Sequence, residues 1–223
     1  MVDYKKQAAE LAFGLIRSGQ TIGLGDGSTV FYLMELIAAD TTLARSLILT
    51  SSSEKTIVRM NELGLTVFPL SDLKVVDSYF DGCDQFDREL NALKSGAGIH
   101  TMEKILASMA REFILMGDSG KFSEHLTDAY PVVVEIIPNA IGSVILKLKN
   151  MFPGVDCSLR ATLSAQGNHL VDLWFEQFPE LSSLNTAIKM LPGVVDHSLF
   201  FRMAGKAVIA GPDGTAIMVS SRR

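Results

Sequence analysis

Cysteine is scarce: the 223-residue chain carries only Cys83 and Cys157, with no CxxC pair and no cysteine framework. A disulfide-built scaffold is therefore excluded, and a reducing cytoplasm is the expected compartment. Long apolar runs are missing as well. No stretch approaches the roughly 18–20 residues of a membrane helix, so no membrane partner is expected. Positive charge is in deficit, with 20 Lys plus Arg against 25 Asp plus Glu and a formal net charge of −5. No basic run exceeds the Lys5-Lys6 and Arg222-Arg223 pairs, which leaves no electrostatic footprint for nucleic acid or an anionic membrane. A cationic leader ahead of an apolar block is lacking too. Instead Ala8, Leu11, Ala12, Leu15 and Ile16 recur at helical spacing among Asp3, Lys5, Lys6, Glu10 and Arg17, the pattern of an amphipathic surface helix rather than a signal peptide.

What is present is the material of a folded α/β protein: 48% hydrophobic and 20% charged residues in a chain long enough to bury a sizeable core. After the first helix the pattern predicts a strand over 21–24, a glycine-rich turn over 25–28, and a helix over 29–39. A strand over 46–50, a helix over 54–63 opened by Ser51-Ser52-Ser53, and strands over 65–70 and 75–80 follow. A long loop over 81–98 precedes a helix over 101–111 and a strand over 113–116. Strands alternating with helices in this way make a parallel sheet. From 132 the order changes to strand, helix, two strands, helix, over 132–137, 140–149, 155–163, 169–175 and 181–191. Gly211-Pro212-Asp213-Gly214 then marks a hairpin between strands over 206–210 and 216–219 that rejoins the first sheet. The expected architecture is a Rossmann-like parallel sheet domain, 1–128 plus 203–223, with a second, smaller α+β (ferredoxin-like) domain over 129–202.

Three segments carry chemistry. Gly23-Leu24-Gly25-Asp26-Gly27-Ser28-Thr29 lies between a strand and a helix, where glycines expose successive N–H groups and the helix start adds unpaired donors, so an anion fits. It is neither a P-loop nor a dinucleotide fingerprint, and a tight turn capped by Ser28 or Thr29 is the alternative. Asp81-Gly82-Cys83-Asp84-Gln85-Phe86-Asp87 follows an apolar strand, at the carboxyl end where ligands of open parallel sheets bind. A merely solvated acidic loop is its alternative. Lys94-Ser95-Gly96-Ala97-Gly98 combines small residues, which permit close backbone approach, with a cation that can offset negative charge. His100 and Glu103 stand at the start of the next helix, where a Glu also simply complements the dipole.

In order and spacing, Gly25-Asp26-Gly27-Ser28-Thr29, Thr50-Ser51-Ser52, Asp81-Gly82-Cys83-Asp84, Lys94-Ser95-Gly96-Ala97, Glu103-Lys104-Ile105, Asp118 with Lys121, and Pro192-Gly193-Val194-Val195 resemble the A-type ribose-5-phosphate isomerases over almost the whole chain. The resemblance implies an aldose–ketose isomerase of the pentose phosphate pathway. It would interconvert ribose 5-phosphate and ribulose 5-phosphate through an enediol(ate), with no metal and no cofactor. It also implies Glu103 as base, with Asp81, Asp84 and Lys94 handling the sugar oxygens. Asp26, Gly27, Ser28, Thr29 and Lys121 would hold the phosphate, and Gly82, Cys83, Ser95, Gly96 and Ala97 would complete the substrate contacts. A homodimer or homotetramer, a small sugar phosphate as partner, and a cytoplasmic location go with the same resemblance.

Several positions depart from the family pattern. Asp26 stands where Thr is usual, Gln85 where Glu is usual, Ser95 and Ala97 where Gly is usual, and Met102 where Arg precedes the base. The usual Thr-Asp-Asn-Gly-Asn turn reads Ser164-Ala165-Gln166-Gly167-Asn168. Two of these changes make the anion site more negative. A divergent isomerase of another sugar or sugar phosphate, or a sugar-phosphate-binding protein with little turnover, are the alternatives.

Overall fold

The computed structural model describes residues 2–220, and the Arg222-Arg223 pair lies outside them. The chain begins α1 (Tyr4–Phe13), β1 (Thr21–Leu24), α2 (Ser28–Ala39), α3 (Thr41–Ser46), β2 (Ile48–Ser51), α4 (Glu54–Glu62) and β3 (Val76–Asp81). It continues with β4 (Gln85–Phe86), β5 (Ala92–Leu93), α5 (His100–Met109), β6 (Ala110–Asp118), β7 (Val132–Ile136), α6 (Ile141–Met151) and β8 (Asp156–Leu163). The last elements are β9 (His169–Trp174), α7 (Leu181–Lys189), β10 (Val194–His197), β11 (Leu199–Phe200), β12 (Lys206–Gly211) and β13 (Gly214–Val219). The described residues group into two compact units: 2–83, 102–122 and 202–220 form the first, and 84–101 with 123–201 the second.

The first unit is built on a six-stranded sheet of order β13-β12-β6-β3-β1-β2. Every pairing is parallel except the β12–β13 hairpin. Ile22, Leu24, Leu33, Ile37, Phe80 and Ile114 are fully buried in its core. Local chemistry fixes the helix starts: Asp3 accepts from the N–H groups of Lys5 and Lys6, and Ser53 caps α4 by accepting from Thr56. The strand predicted over 65–70 does not form. The chain touches the sheet there only through a bridge between Leu49 and Val67, because Pro69 has no N–H to donate and the backbone then turns at Leu70–Asp72. Helix α3 was not expected; Asp40 caps it by accepting from Leu43.

In the second unit β7, α6, β8, β9, α7 and β10 follow one another as a ferredoxin-like βαββαβ. Their antiparallel sheet has the order β10-β7-β9-β8, with Val134 and Val171 of the sheet and Val144, Leu148, Leu184 and Ile188 of the helices buried in one core. The predicted 81–98 loop is largely ordered: β4 and β5 pair with each other and β5 with β11. Two-residue strands leave no periodicity to read. A turn joins β4 to β5, with Leu90 at φ 59 and the Asp87 carboxylate accepting from the N–H groups of Glu89 and Asn91 and from the Asn91 amide. This pairing gives 84–101 to the second unit, whereas the sequence reading had kept it in the first.

Glu135, on central strand β7, is 1% exposed. It accepts from Ser164 at 2.6 Å, from Asn168 at 2.8 Å, and from Thr101, so one carboxylate ties the turn between β8 and β9 to the segment leading into α5. Burial by itself raises this carboxyl, but the hydrogen bonds from Ser164, Thr101 and Asn168 and the nearby His100 outweigh it, and the net shift is downward. A lowered folded value means the stabilisation is complete above the unfolded value of about 4.3 and fades as pH falls through the folded one. Glu135→Ala is expected to reduce unfolding free energy by about 3 kcal/mol at neutral pH, with the deficit narrowing in acid. Equilibrium denaturation of both proteins across pH checks this, and a deficit that is absent or independent of pH would refute it.

Candidate active site

Strand order places the switch point of the parallel sheet at β1. Its neighbour β2 lies on one side and β3 on the other, so the segments leaving the carboxyl ends of β1 and β3 flank the crevice where such sheets take ligands. Those segments are Gly25 to Ser28 and Asp81 to Cys83.

Asp81 is completely buried. Its Oδ1 accepts from Asp26 N–H at 3.2 Å and Gly82 N–H at 2.7 Å, and its Oδ2 accepts from the Tyr79 hydroxyl. Burial, then the charges of Asp81 and Glu103, push the Tyr79 hydroxyl well above the ordinary tyrosine range, which keeps it a proton donor. A Cβ at Gly25 would fall on the Asp81 carboxylate, so the close approach requires glycine. Two consecutive carbonyls at the entry to the turn are held as well: Ser51 donates to Leu24 O at 2.6 Å and Thr56 to Gly25 O at 2.7 Å. The Thr50-Ser51-Ser52 motif thus bears on the glycine turn through Ser51.

Within that turn the predicted anion donors are partly spent. Asp26 N–H serves Asp81, and Gly27 N–H donates to Asp26's own carboxylate at 2.6 Å. Lys55 Nζ lies 3.5 Å from the same carboxylate oxygen and 4.9 Å from the centre of the Phe31 ring. Gly27, at φ 109, opens α2 without a side-chain cap. The N–H groups that α2 leaves open are those of Ser28, Thr29 and Val30. Ser28 is exposed and Thr29 buried.

Glu103 sits in the first turn of α5, 5% exposed, and its charge reaches Tyr79. Leu106, one turn on along the same helix face, packs where a Gly23 Cβ would be, 3.0 Å from that position. The absent side chain lets α5 settle onto β1 and carries Glu103 with it. Lys121 lays its stem over Gly117, Cγ 3.2 Å from the position of a Cβ there.

Ser28 also lines a cavity of about 530 Å³ shared with Lys5, Tyr32, Asp3 and Asp118. Lys5, which from its spacing belongs to the polar face of a surface helix, here brings a cation to the cavity. Asp3 fixes this corner by accepting from the Tyr32 hydroxyl at 2.6 Å.

The second unit holds the remaining predicted residues. Asp84 Oδ2 accepts from Ser95 N–H at 2.6 Å, and Ser95 donates its hydroxyl to Pro131 O. Lys94 is buried, with its ammonium 5.8 Å from the centre of the Phe200 ring. Gly96 and Ala97 are exposed. Gln85 is engaged with Thr127: its amide donates to the Thr127 hydroxyl and accepts from Thr127 N–H. Arg160, unremarked in the sequence, grips the Ser95 and Gly96 carbonyls. Cys83 and Gly82 are half-buried in the first unit. Among the described residues no group of three or more His, Cys, Asp or Glu could hold a metal ion.

The Asp81 anchor makes a sharp prediction about neighbouring glycines. Gly25→Ala, whose methyl must displace the carboxylate, is expected to cost about 2 kcal/mol or more. Gly82→Ala, whose Cβ would meet only Asp26 O at 3.7 Å and Met116 O at 3.9 Å, should be nearly neutral. Thermal denaturation separates them, and equal stability of the two variants would refute the anchor.

Comparison with known proteins supplies the family. The model for ribose 5-phosphate isomerase A (phosphoriboisomerase A) matches residues 48–214. A ribose-5-phosphate isomerase A of Roseiflexus castenholzii is 36% identical over 220 residues, covering 95% of this chain and 93% of that one. The human ribose-5-phosphate isomerase is 33% identical over 213 residues, 91% of this chain and 68% of its own. Among solved structures, ribose 5 phosphate isomerase A from Neisseria gonorrhoeae superposes with a TM-score of 0.89 at 26% identity, over 98% of this chain and 96% of that one. A D-ribose-5-phosphate isomerase in complex with phospho-erythronic acid gives 0.90 at 25% identity, over 98% and 100%. The chain belongs to the ribose 5-phosphate isomerase A family.

Proposed function

We propose that this protein interconverts ribose 5-phosphate and ribulose 5-phosphate with Glu103 as the base. The observation that carries the reading is the setting of Glu103: a nearly buried carboxylate whose charge reaches Tyr79 on β3 and whose helix packs on Gly23 of β1 through Leu106, in a chain of this family. A shielded carboxylate suits proton transfer between carbons and contributes on the order of 10²–10⁴-fold in rate.

In the forward direction Glu103 takes the proton from C2 of the open-chain aldose. The C2–H electrons form the C1–C2 double bond as the C1 carbonyl pair moves onto O1, which becomes the enediol hydroxyl. Glu103 then returns its proton to the C1–C2 pair at C1, the O2–H pair becomes the C2 carbonyl, and the proton that leaves O2 balances the one O1 has taken up, so no net proton is gained or lost. Lys94 and Asp84 assist ring opening, and Lys94 offsets the charge on the sugar oxygens, while Asp81 keeps the Gly25–Gly27 turn in register. The phosphate is assigned to the start of α2, where Ser28 and the open N–H groups present donors, with Lys121 and Lys5 as counter-charges. Cytoplasmic location and assembly as a homodimer or homotetramer belong to the same proposal and rest on the family likeness.

A second reading has an observation of its own. The Asp26 carboxylate already occupies Gly27 N–H at 2.6 Å, where a phosphate oxygen would compete with it, so a sugar or sugar phosphate carrying less charge at that end is favoured relative to the usual threonine-bearing loop.

Formation of ribulose 5-phosphate from ribose 5-phosphate in EDTA tests both. Wild-type turnover should persist in the chelator, and Glu103→Gln should lower kcat by about 10²-fold or more; an unchanged kcat would remove Glu103 from the chemistry. Asp26→Thr should lower KM for ribose 5-phosphate, and Lys5→Met should raise it, with kcat changing less in each case. A KM indifferent to both substitutions would move the phosphate elsewhere.

A further inference from the structure

Arg160 lies on β8 in a stretch where the register with β9 breaks, between Leu159 and Leu163, an irregularity that re-aims side chains. Its side chain is four-fifths buried and paired with Asp172, Nε to Oδ1 at 2.7 Å. Its other two nitrogens donate to consecutive backbone carbonyls, Nη2 to Ser95 O at 2.5 Å and Nη1 to Gly96 O at 2.8 Å. Consecutive carbonyls in extended chain point in opposite directions, so a shared partner for both is an imposed conformation. No cis peptide bond is present among the described residues. In a planar trans peptide the N–H points away from the C=O it is joined to, so the N–H groups of Gly96 and Ala97 are both turned away from Arg160. Neither has an acceptor among the described residues. Meanwhile Ser95 N–H is held by Asp84 and the Ser95 hydroxyl by Pro131 O, which leaves the segment little freedom.

We infer that Arg160 is a positioning residue of the isomerase: by clamping the Ser95 and Gly96 carbonyls it aims the Gly96 and Ala97 N–H groups as a preorganised donor pair for a sugar oxygen on which charge develops. The inference rests on the isomerase reading for the identity of that oxygen. The positive charge behind the two carbonyls also polarises each peptide, which strengthens its N–H as a donor. A lysine cannot substitute fully, since one ammonium lacks the planar fork that meets two carbonyls and Asp172 together. Asp172 acts one step further back, fixing the fork's orientation.

The test compares Arg160→Met, Arg160→Lys and Asp172→Asn with wild type in kcat, in KM, and in the ¹⁵N-resolved amide signals of Gly96 and Ala97. Expected are a fall in kcat of about tenfold or more for Arg160→Met, with KM within about threefold, and a smaller fall for Arg160→Lys. Partial restoration of Arg160→Met by added guanidinium ion, and shifted, faster-exchanging Gly96 and Ala97 amides, are also expected. A folded Arg160→Met with wild-type kcat overturns the inference, as does a loss with both amides unchanged or one that guanidinium does not relieve. Should Arg160→Met fail to fold, Asp172→Asn decides: moved amides and a lowered kcat support the role, and unmoved amides overturn it. Absence of wild-type turnover would count against the isomerase reading alone, because the amide signals report the clamp without any turnover.

Discussion

The buried carboxylate of Asp81 sits where a side chain on Gly25 would have to be, and the segments leaving β1 and β3 are arranged around that contact. One oxygen gathers the N–H groups of Asp26 and Gly82 and the other takes the Tyr79 hydroxyl, so the segments leaving β1 and β3 are joined through a single side chain. A buried charge is tolerated only when donors converge on it; here three do. With Asp81 fixed, the turn after β1 has one conformation available, and α2 begins with its open N–H groups in a set place.

Charge compensation around this anchor is local. Asp26 uses one of the turn's own donors and is met by Lys55, which is 68% exposed and therefore screened by water. Glu103 and Asp81 both act on Tyr79, whose hydroxyl holds its proton as a result. Lysines are placed by packing as much as by pairing: Lys94 over Phe200, Lys55 over Phe31, Lys121 along Gly117. Each stem or ring contact holds a cation in position at lower entropic cost than a free surface chain would carry.

Much of this was legible in the sequence because glycine, serine and acidic residues announce turns and caps. The parallel sheet, the βαββαβ module and the closing hairpin all follow from apolar periodicity and turn residues. What was not legible depended on contacts far apart in sequence or on very short elements. The two-residue strands β4 and β5 have no period to detect, and Leu65 to Leu70 reads as a strand until Pro69 withholds its N–H. Lys5 looks like the polar face of a helix, and Asp87 like a third site acid until its carboxylate closes the turn at Leu90. Arg160 meets Ser95 and Gly96 across some 65 residues of chain, and nothing local marks it. Asp26 was legible as an anomaly, but only coordinates show its carboxylate bonded to the next N–H.

The central claim is that a carboxylate moves a proton between adjacent sugar carbons. Isomerisation carried out in D₂O with wild-type protein, followed by NMR of the ribulose 5-phosphate formed, tests it most directly. A carboxylic acid that exchanges with solvent before returning its proton delivers deuterium to C1, and that is the result this structure implies. Product that never gains deuterium at C1, even after many forward and reverse turnovers at equilibrium, as direct hydride transfer would leave it, would contradict it.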